Sequence, residues 1–182
     1  METSIRPIYG QGFFDVSSSV IFYTIVFDYY DPSGDYARIL RDYRARRDEE
    51  AYIRGKMQEF INEERILVNG ERVTARVASA KLELRGNPHV HSAVIHVVME
   101  YNTVMGTNVY EDFYEPERAE YDYTVYWQVP PGGVILHVET PGKVYYEDNR
   151  RIAVIHVRKG TFLDGYEAVM FRLNNQREQL RG

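Results

Sequence analysis

Alternating apolar and polar positions cover most of this chain, and a single charged stretch interrupts them. The first strand is predicted from Phe13 to Tyr30. Its middle is apolar on both faces, which indicates cover from both sides. Residues 1–12 contain Pro7, Gly10 and Gly12 and are interpreted as an irregular lead-in.

The charged stretch predicts one long or bent helix, and a second acidic start signal favours two segments, 35–46 and 48–64. Apolar residues recur at helical spacing in the second segment. We expect them to be buried against a sheet that contains residues 21–27. They are Ile53, Met57, Phe60 and Ile61.

Shorter strands follow, and Asn69-Gly70 indicates a tight hairpin turn among them. Strands are predicted over 73–84, 90–104, 134–139, 152–157 and 166–173, and a less regular strand with an acidic loop over 108–126. The predicted fold class is α+β, with a curved antiparallel sheet of about six or seven strands. The sheet forms a half-barrel or two layers and the helix packs on one face. Residues 1–173 are interpreted as a single domain and 174–182 as a flexible polar tail.

The composition of the chain limits the classes of partner and of chemistry that are expected. The net charge of −5 argues against nucleic acid, and the absence of cysteine excludes disulfides and thiolate chemistry. Sixteen tyrosines supply rings that can bury a face and keep a hydroxyl hydrated. Arginine outnumbers lysine 18 to 4, which favours a thermophilic source. No secretory signal opens the chain, so it is expected to be cytoplasmic. An extracytoplasmic location, with a membrane surface as partner, is expected only for a trimmed ectodomain.

His89 and His91 are the candidate metal ligands. On a strand, residues two apart point to one face, so both imidazoles could bind one ion as part of a metal-binding barrel or metal-dependent enzyme. The alternative is an exposed polar pair after a Gly-Asn-Pro turn. No cofactor is predicted.

Two opposite charge clusters are candidate binding surfaces. Arg38, Arg41 and Arg44 share one helical stripe, which could bind an anionic ligand or partner. Six acids between Glu111 and Asp122 could pair with these arginines within the chain or between subunits. A solvated helix face is the remaining interpretation.

Several tyrosines could line a groove for a sugar or an aromatic ligand, and Tyr121 and Tyr123 are the candidate binding residues among them. The full set is Tyr110, Tyr114, Tyr121, Tyr123 and Tyr126. The alternative is that these rings are core residues or cross-strand pairs.

The order of these features resembles that of the LppM-like extracytoplasmic domains of membrane-anchored proteins. The matching segments are 20–30, the helix to Glu64, 121–132 and 165–171. The chain departs from that group in lacking a lipobox cysteine and an anchor. The resemblance implies a non-catalytic envelope or surface domain and assigns no site residues.

No nucleophile elbow, phosphate loop or dinucleotide fingerprint is present, so the sequence favours a non-enzymatic domain that acts through its surface. It would work as a homo-oligomer or with a protein partner, as the soluble part of a larger, envelope-associated assembly. The alternatives are the metal site at His89 and His91 and a carrier that holds a hydrophobic ligand in a cavity under the helix.

Overall fold

The computed structural model describes residues 5–102 and 104–174 and has an α+β fold in which strands predominate, as predicted. Its two helices are α1 (Asp35–Ile39) and α2 (Tyr43–Glu63). The strands are β1 (Arg6–Val16), β2 (Val20–Tyr30), β3 (Arg65–Val68), β4 (Glu71–Arg72), β5 (Ala75–Asn87), β6 (Val90–Glu100), β7 (Gly106–Phe113), β8 (Glu117–Arg118), β9 (Asp122–Gln128), β10 (Val134–Glu139), β11 (Lys143–Glu147), β12 (Ile152–Val157), β13 (Phe162–Leu163) and β14 (Tyr166–Leu173).

The strands form two main sheets. The first has seven strands in the order β11-β12-β9-β1-β2-β6-β5, and the second has five in the order β10-β14-β7-β3-β4. Strands β8 and β13 pair separately. Pairing is antiparallel, as predicted, except that β1 and β9 run parallel at the centre of the first sheet.

The start of the chain differs from its prediction. Residues 6–16 form a strand, and the strand predicted from Phe13 to Tyr30 is a hairpin that turns at residues 17–19. Ser17 explains the turn. Its hydroxyl accepts a hydrogen bond from the Val20 N–H at 3.1 Å, and its backbone N–H donates to the Val20 carbonyl at 2.9 Å. The glycines that indicated a loop lie instead on the buried face of β1.

The inner faces of the two sheets share one core. Phe14 and Trp127 of the first sheet stack with ring centroids 4.1 Å apart, and Tyr110 of the second sheet lies 4.9 Å from Trp127. Ile21, Ile135 and other fully buried side chains surround them. Apolar burial between the sheets is therefore the main source of stability.

The helical stretch divides earlier than predicted, at residues 40–42. Asp42 begins α2 because its carboxylate accepts a hydrogen bond from the Ala45 N–H at 2.9 Å. Neither helix is apolar over a length that could cross a membrane, within the part of the chain that the structure describes.

Helix α2 lies along the edge strand β5 and satisfies its free backbone groups. Gln58 accepts from the Val77 N–H at 2.8 Å and donates to the Ala75 carbonyl at 3.0 Å. Further along, Glu50 accepts from the Leu82 N–H at 3.2 Å and Arg46 donates to the Leu82 carbonyl at 3.0 Å. The helix thus covers an edge that would otherwise be open to pairing.

The inner stripe of α2 is narrower than predicted. Ile61 is buried, and Ile53 and Met57 pack against the core, but Phe60 is 53% exposed. The prediction that Phe60 is buried is therefore wrong, because a helix beside a sheet edge presents fewer residues to the core than one lying on a face.

Several later elements agree with the sequence. Asn69 and Gly70 turn between β3 and β4 with positive φ values of 54° and 78°, as a tight hairpin requires. Strands β10, β12 and β14 have the predicted bounds, whereas β11 was missed. Of the predicted polar tail only Asn174 is described, and its side chain donates to the Gly132 carbonyl at 2.7 Å; residues 175–182 lie outside the described part.

Candidate ligand-binding cavity

A cavity of about 300 Å³ lies between the two sheets. Its apolar wall comes from both inner faces, with Ile25, Val97 and Val125 on the first sheet and Ile66 and Val138 on the second. This volume is at the lower end of the range for small-molecule sites in proteins.

Two buried glycines of β1 make room for tyrosine rings that line the cavity. Gly10 pairs with Tyr123 and Gly12 with Val125 across the parallel ladder. A β-carbon on Gly12 would lie 3.0 Å from the Tyr23 ring, and one on Gly10 would lie 3.0 Å from the Tyr121 ring. The tyrosine rings therefore occupy the space that side chains at these positions would fill.

The opposite wall carries three half-buried carboxylates. Asp112 of β7 and Glu167 of β14 are direct cross-strand neighbours, and Ile66 of β3 pairs with Asp112 on its other side. Glu64 follows the last residue of α2 in an extended conformation, two residues before Ile66, so strand alternation places it on the same inner face. Thr140 donates a hydrogen bond to Glu167 at 2.8 Å.

Burial raises the pKa of all three acids, and repulsion by neighbouring acids adds to the shift at Glu64 and Glu167. Removal from water raises the pKa of Glu64 to about 8, and the charges of Asp112 and Glu167 add to the effect. Burial likewise raises the pKa of Glu167 to about 7 and that of Asp112 to about 6. Near neutral pH the empty cavity therefore holds a mixture of protonated and ionised acids.

Tyrosine hydroxyls complete the polar part of the wall. Tyr110 donates to Asp112 at 3.4 Å. The other Asp112 oxygen and the Tyr114 hydroxyl are buried without a hydrogen-bond partner. Burial, reinforced by the nearby acids, raises the pKa of Tyr23 and Tyr110 well above the ordinary value, so both remain neutral. Unpartnered buried polar atoms of this kind favour a ligand that can bind to them.

The charge of the wall has one sign. None of the described residues that line it is Lys, Arg or His. Its seven acidic residues are Glu63, Glu64, Asp112, Glu115, Glu117, Glu139 and Glu167. The arrangement suits a molecule with an apolar body and a group that can receive hydrogen bonds from, or balance the charge of, carboxyl groups.

The structure brings four of the five predicted tyrosines together here. Tyr121 and Tyr123 line the cavity together with Tyr110 and Tyr114. Tyr126 lies on the opposite face of the first sheet, where its ring stacks on Phe13 at 5.0 Å. The alternation along β9 explains this division, since neighbouring residues point to opposite faces.

The two predicted metal ligands lie apart from the cavity and have different surroundings. His89 is exposed in the turn before β6, and its Nδ1 lies 3.1 Å from the Asp31 carbonyl oxygen. His91, on β6, is only 2% exposed and is sandwiched between the rings of Tyr29 and Tyr36, with centroids at 5.2 and 3.8 Å.

Burial lowers the pKa of His91, although Asp31 opposes the shift, so His91 stabilises the fold mainly when neutral. Within residues 5–102 and 104–174 no three His, Asp or Glu side chains form a group that could hold a metal ion. Metal binding at His89 and His91 stays a prediction that elemental analysis of the purified protein can test.

The arginine stripe is divided by the helix break. Arg38 lies in α1 and pairs with Asp35, Arg41 lies in the linker, and Arg44 lies in the first turn of α2; all three are exposed. Among the predicted acids, Glu111 accepts from the Tyr166 hydroxyl at 3.1 Å. Contact between the two clusters across subunits stays a prediction.

Sequence reasoning missed Glu64 and Glu167, and assigned Asp112 only to the acidic cluster. A signal for them exists in the alternation along the strands. Glu167, Val169, Phe171 and Leu173 share one face of β14, so a carboxylate continues an otherwise apolar row. Such a residue indicates either a frayed strand end or a polar cavity, and only the folded arrangement distinguishes them.

Comparisons with known proteins give no family. No family model and no curated protein sequence matches this chain significantly. Among solved structures, the chain is similar to native yeast LTA4 hydrolase with 6% identity and a TM-score of 0.35, over 91% of this chain and 29% of that one. It is similar to yeast LTA4 hydrolase in complex with bestatin with 7% identity and a TM-score of 0.32, over 93% of this chain and 29% of that one. The chain thus spans under a third of the length of these structures, and a similarity at this level carries no inference about function.

Proposed function

We propose that this protein is a non-enzymatic binding domain that holds a small, largely apolar molecule between its two sheets. The cavity of about 300 Å³ is the observation that carries the proposal. Apolar and aromatic walls with a few converging polar groups are typical of small-molecule sites. The half-barrel curvature expected of the seven-stranded sheet would help to enclose the ligand and is part of the proposal.

The placement of Tyr23 over Gly12 and of Tyr121 over Gly10 supports a ligand-binding role for the cavity, as opposed to a defect in core packing. A strand gains nothing from glycine in its interior, because glycine costs backbone entropy and buries no side chain. Gly10 and Gly12 nevertheless occupy two successive inner positions of a central strand. A β-carbon at either position would crowd a tyrosine ring that lines the cavity, so the glycines make room for that wall.

The sole tryptophan provides the test, because Trp127 lines the cavity. We would follow its emission while titrating the protein with phenethylamine and with 2-phenylethanol, two aromatic probes that differ in their polar end. Saturable changes with at least one probe are expected.

Val125→Phe should abolish the response, because Val125 faces the cavity opposite Gly12. Val154→Phe is the matched control, since Val154 lies on the next strand and pairs with Tyr126 on the outer face. No response to either probe in a folded protein, or equal responses in both variants, would contradict the proposal.

Self-association is a second candidate, with another copy of this chain as the partner. The outer face of the seven-stranded sheet favours it, because Phe22 is 52% and Tyr145 is 51% exposed there, beside the half-buried Phe13 and Tyr126. Light scattering at tens of micromolar protein should give a dimer that Phe22→Glu dissociates. A monomeric wild-type protein would rule this candidate out and leave the cavity proposal intact. An envelope-associated assembly also stays a prediction.

A further inference from the structure

We infer that the ligand of the cavity is a small organic cation, with an amine or quaternary ammonium group on an apolar body. This inference rests on the proposed ligand-binding function and specifies its ligand class. Three features of the wall carry it: its charge, its rings and the spacing of its acids.

The first feature is the uncompensated charge. The wall has seven acidic residues and no basic one among the described residues that line it. Thr140 and Tyr110 donate hydrogen bonds to Glu167 and Asp112 without adding charge. Three of the seven, Glu64, Asp112 and Glu167, are half-buried. Ionised carboxylates removed from water are costly without a counter-charge, and a cationic ligand would supply it.

The second feature is the set of rings beside the acids. Tyr23 and Tyr121 lie over the glycines of β1, and Tyr123 is next to them on β9. The faces of aromatic rings attract cations and accept the alkyl groups of an ammonium ion. Rings next to carboxylates therefore suit an organic ammonium group better than a neutral polar group.

The third feature is the distribution of the acids over separate elements. Glu64 lies at the end of α2, Asp112 on β7 and Glu167 on β14. Divalent ions need several oxygen ligands within about 2.6 Å. In the described part of the chain these carboxylates do not form a group that could hold a metal ion. An ammonium group does not need several oxygens at such short distances.

Proton release gives the inference an independent readout. The pKa values of Asp112, Glu167 and Glu64 are raised to about 6, 7 and 8, so a bound cation should lower them and displace protons. Alkylammonium groups, like that of lysine, stay charged throughout this range. Amine affinity should therefore rise with pH, and that of a neutral probe should not.

The experiment compares phenethylamine with 2-phenylethanol on the intact protein, by Trp127 emission and calorimetry at about pH 5.5 and pH 8. At pH 8 the amine should bind roughly tenfold more tightly than the alcohol. The difference should shrink at pH 5.5. Glu167→Gln should weaken amine binding severalfold and leave the alcohol unchanged, and Glu64→Gln provides a second variant should the first not fold. Glu83→Gln, on the exposed face of β5, is the matched control.

The outcomes separate this inference from the proposed function. Equal binding of both probes at pH 8, or tighter binding of the alcohol, would overturn the cation inference and leave the ligand-binding function standing. Binding of neither probe would remove the proposed function and this inference with it. Amine selectivity that survives both Glu167→Gln and Glu64→Gln would also overturn the assignment to these acids.

Discussion

Two glutamates, Glu50 within α2 and Glu64 just after its last residue, are withdrawn from water in different ways. Glu50 is buried but receives hydrogen bonds from Arg46 and Lys81 and from the Leu82 N–H. Although burial opposes its ionisation, these partners outweigh it and lower the pKa of Glu50. Glu64 faces other acids, and its pKa is raised to about 8. Glu50, which fixes the sheet edge, therefore has basic and N–H partners from α2 and β5, whereas the pKa of Glu64, which faces the cavity, is set by burial and by other acids.

This contrast distinguishes structural from functional polarity. A buried acid that serves the fold is paired, because an unpaired one costs stability. A cluster that lacks such pairing lowers stability in the empty protein, which is the expected pattern where a ligand supplies the missing partner.

The largest predicted effect is the loss of Glu50. Glu50→Ala removes the acceptor for the Leu82 N–H and two ion pairs whose basic partners are partly exposed, so it should lower the free energy of unfolding by about 2–3 kcal/mol. Urea denaturation measures it. Glu59→Ala, which removes an exposed pair with Lys56, should cause a much smaller loss. Equal losses would mean that Glu50 does not anchor the helix.

Glu64 should show the opposite behaviour, and its effect depends on pH. The ordinary pKa of 4.5 applies in the unfolded chain and about 8 in the folded one, so the unfolded state ionises first as the pH rises. The stability due to the protonated acid is present below about pH 4.5 and is lost as the pH approaches 8.

Glu64→Gln removes this dependence. The free energy of unfolding of the variant, relative to that of the wild type, should rise by on the order of 1–3 kcal/mol between about pH 5 and pH 8. Urea denaturation of both proteins across this pH range measures the difference. Because His91 is present in both, its opposite contribution to the pH dependence cancels in that difference. A flat difference curve would show that Glu64 is ionised in the folded protein.

The glycines of the cavity and of α2 should respond to alanine with opposite signs. Gly12→Ala would bring a methyl group to 3.0 Å from the Tyr23 ring, which is itself stacked on Phe14 at 3.8 Å, so we expect a net loss of about 1 kcal/mol. Gly55 has open space around its α-carbon within α2, so Gly55→Ala should gain about 0.5–1 kcal/mol. Thermal unfolding of both variants distinguishes the signs. A gain for Gly12→Ala would mean that the tyrosine ring is free to move.

The smallest predicted effect is that of Phe60. Because the side chain is 53% exposed at the rim of the cavity, Phe60→Ala should change the free energy of unfolding by below about 1 kcal/mol. Urea denaturation checks this value. A loss of about 3–5 kcal/mol, typical of a buried phenylalanine, would place the helix on the sheet face after all.

The sequence predicts the local elements better than their relative placement. Alternation and turn residues located β10, β12, β14 and the Asn69-Gly70 hairpin, because these depend on neighbouring residues. The position of α2 depends on hydrogen bonds between Gln58 and the distant edge of β5, which no local pattern reports. The tyrosines of the cavity stood out by composition. Glu64 and Glu167 did not, because only the pairing of strands brings Glu167 beside Asp112.

The protonation state of the cavity acids tests the central claim most directly. The side-chain carboxyl ¹³C shifts of Glu64, Asp112 and Glu167 can be followed by NMR from about pH 4 to pH 9, with and without phenethylamine. Without the amine we predict titration midpoints near 8, 6 and 7, and with it all three should move downwards. Midpoints below about 5 in the empty protein, or midpoints that saturating amine leaves unchanged, would contradict an uncompensated acidic cavity built for a cation.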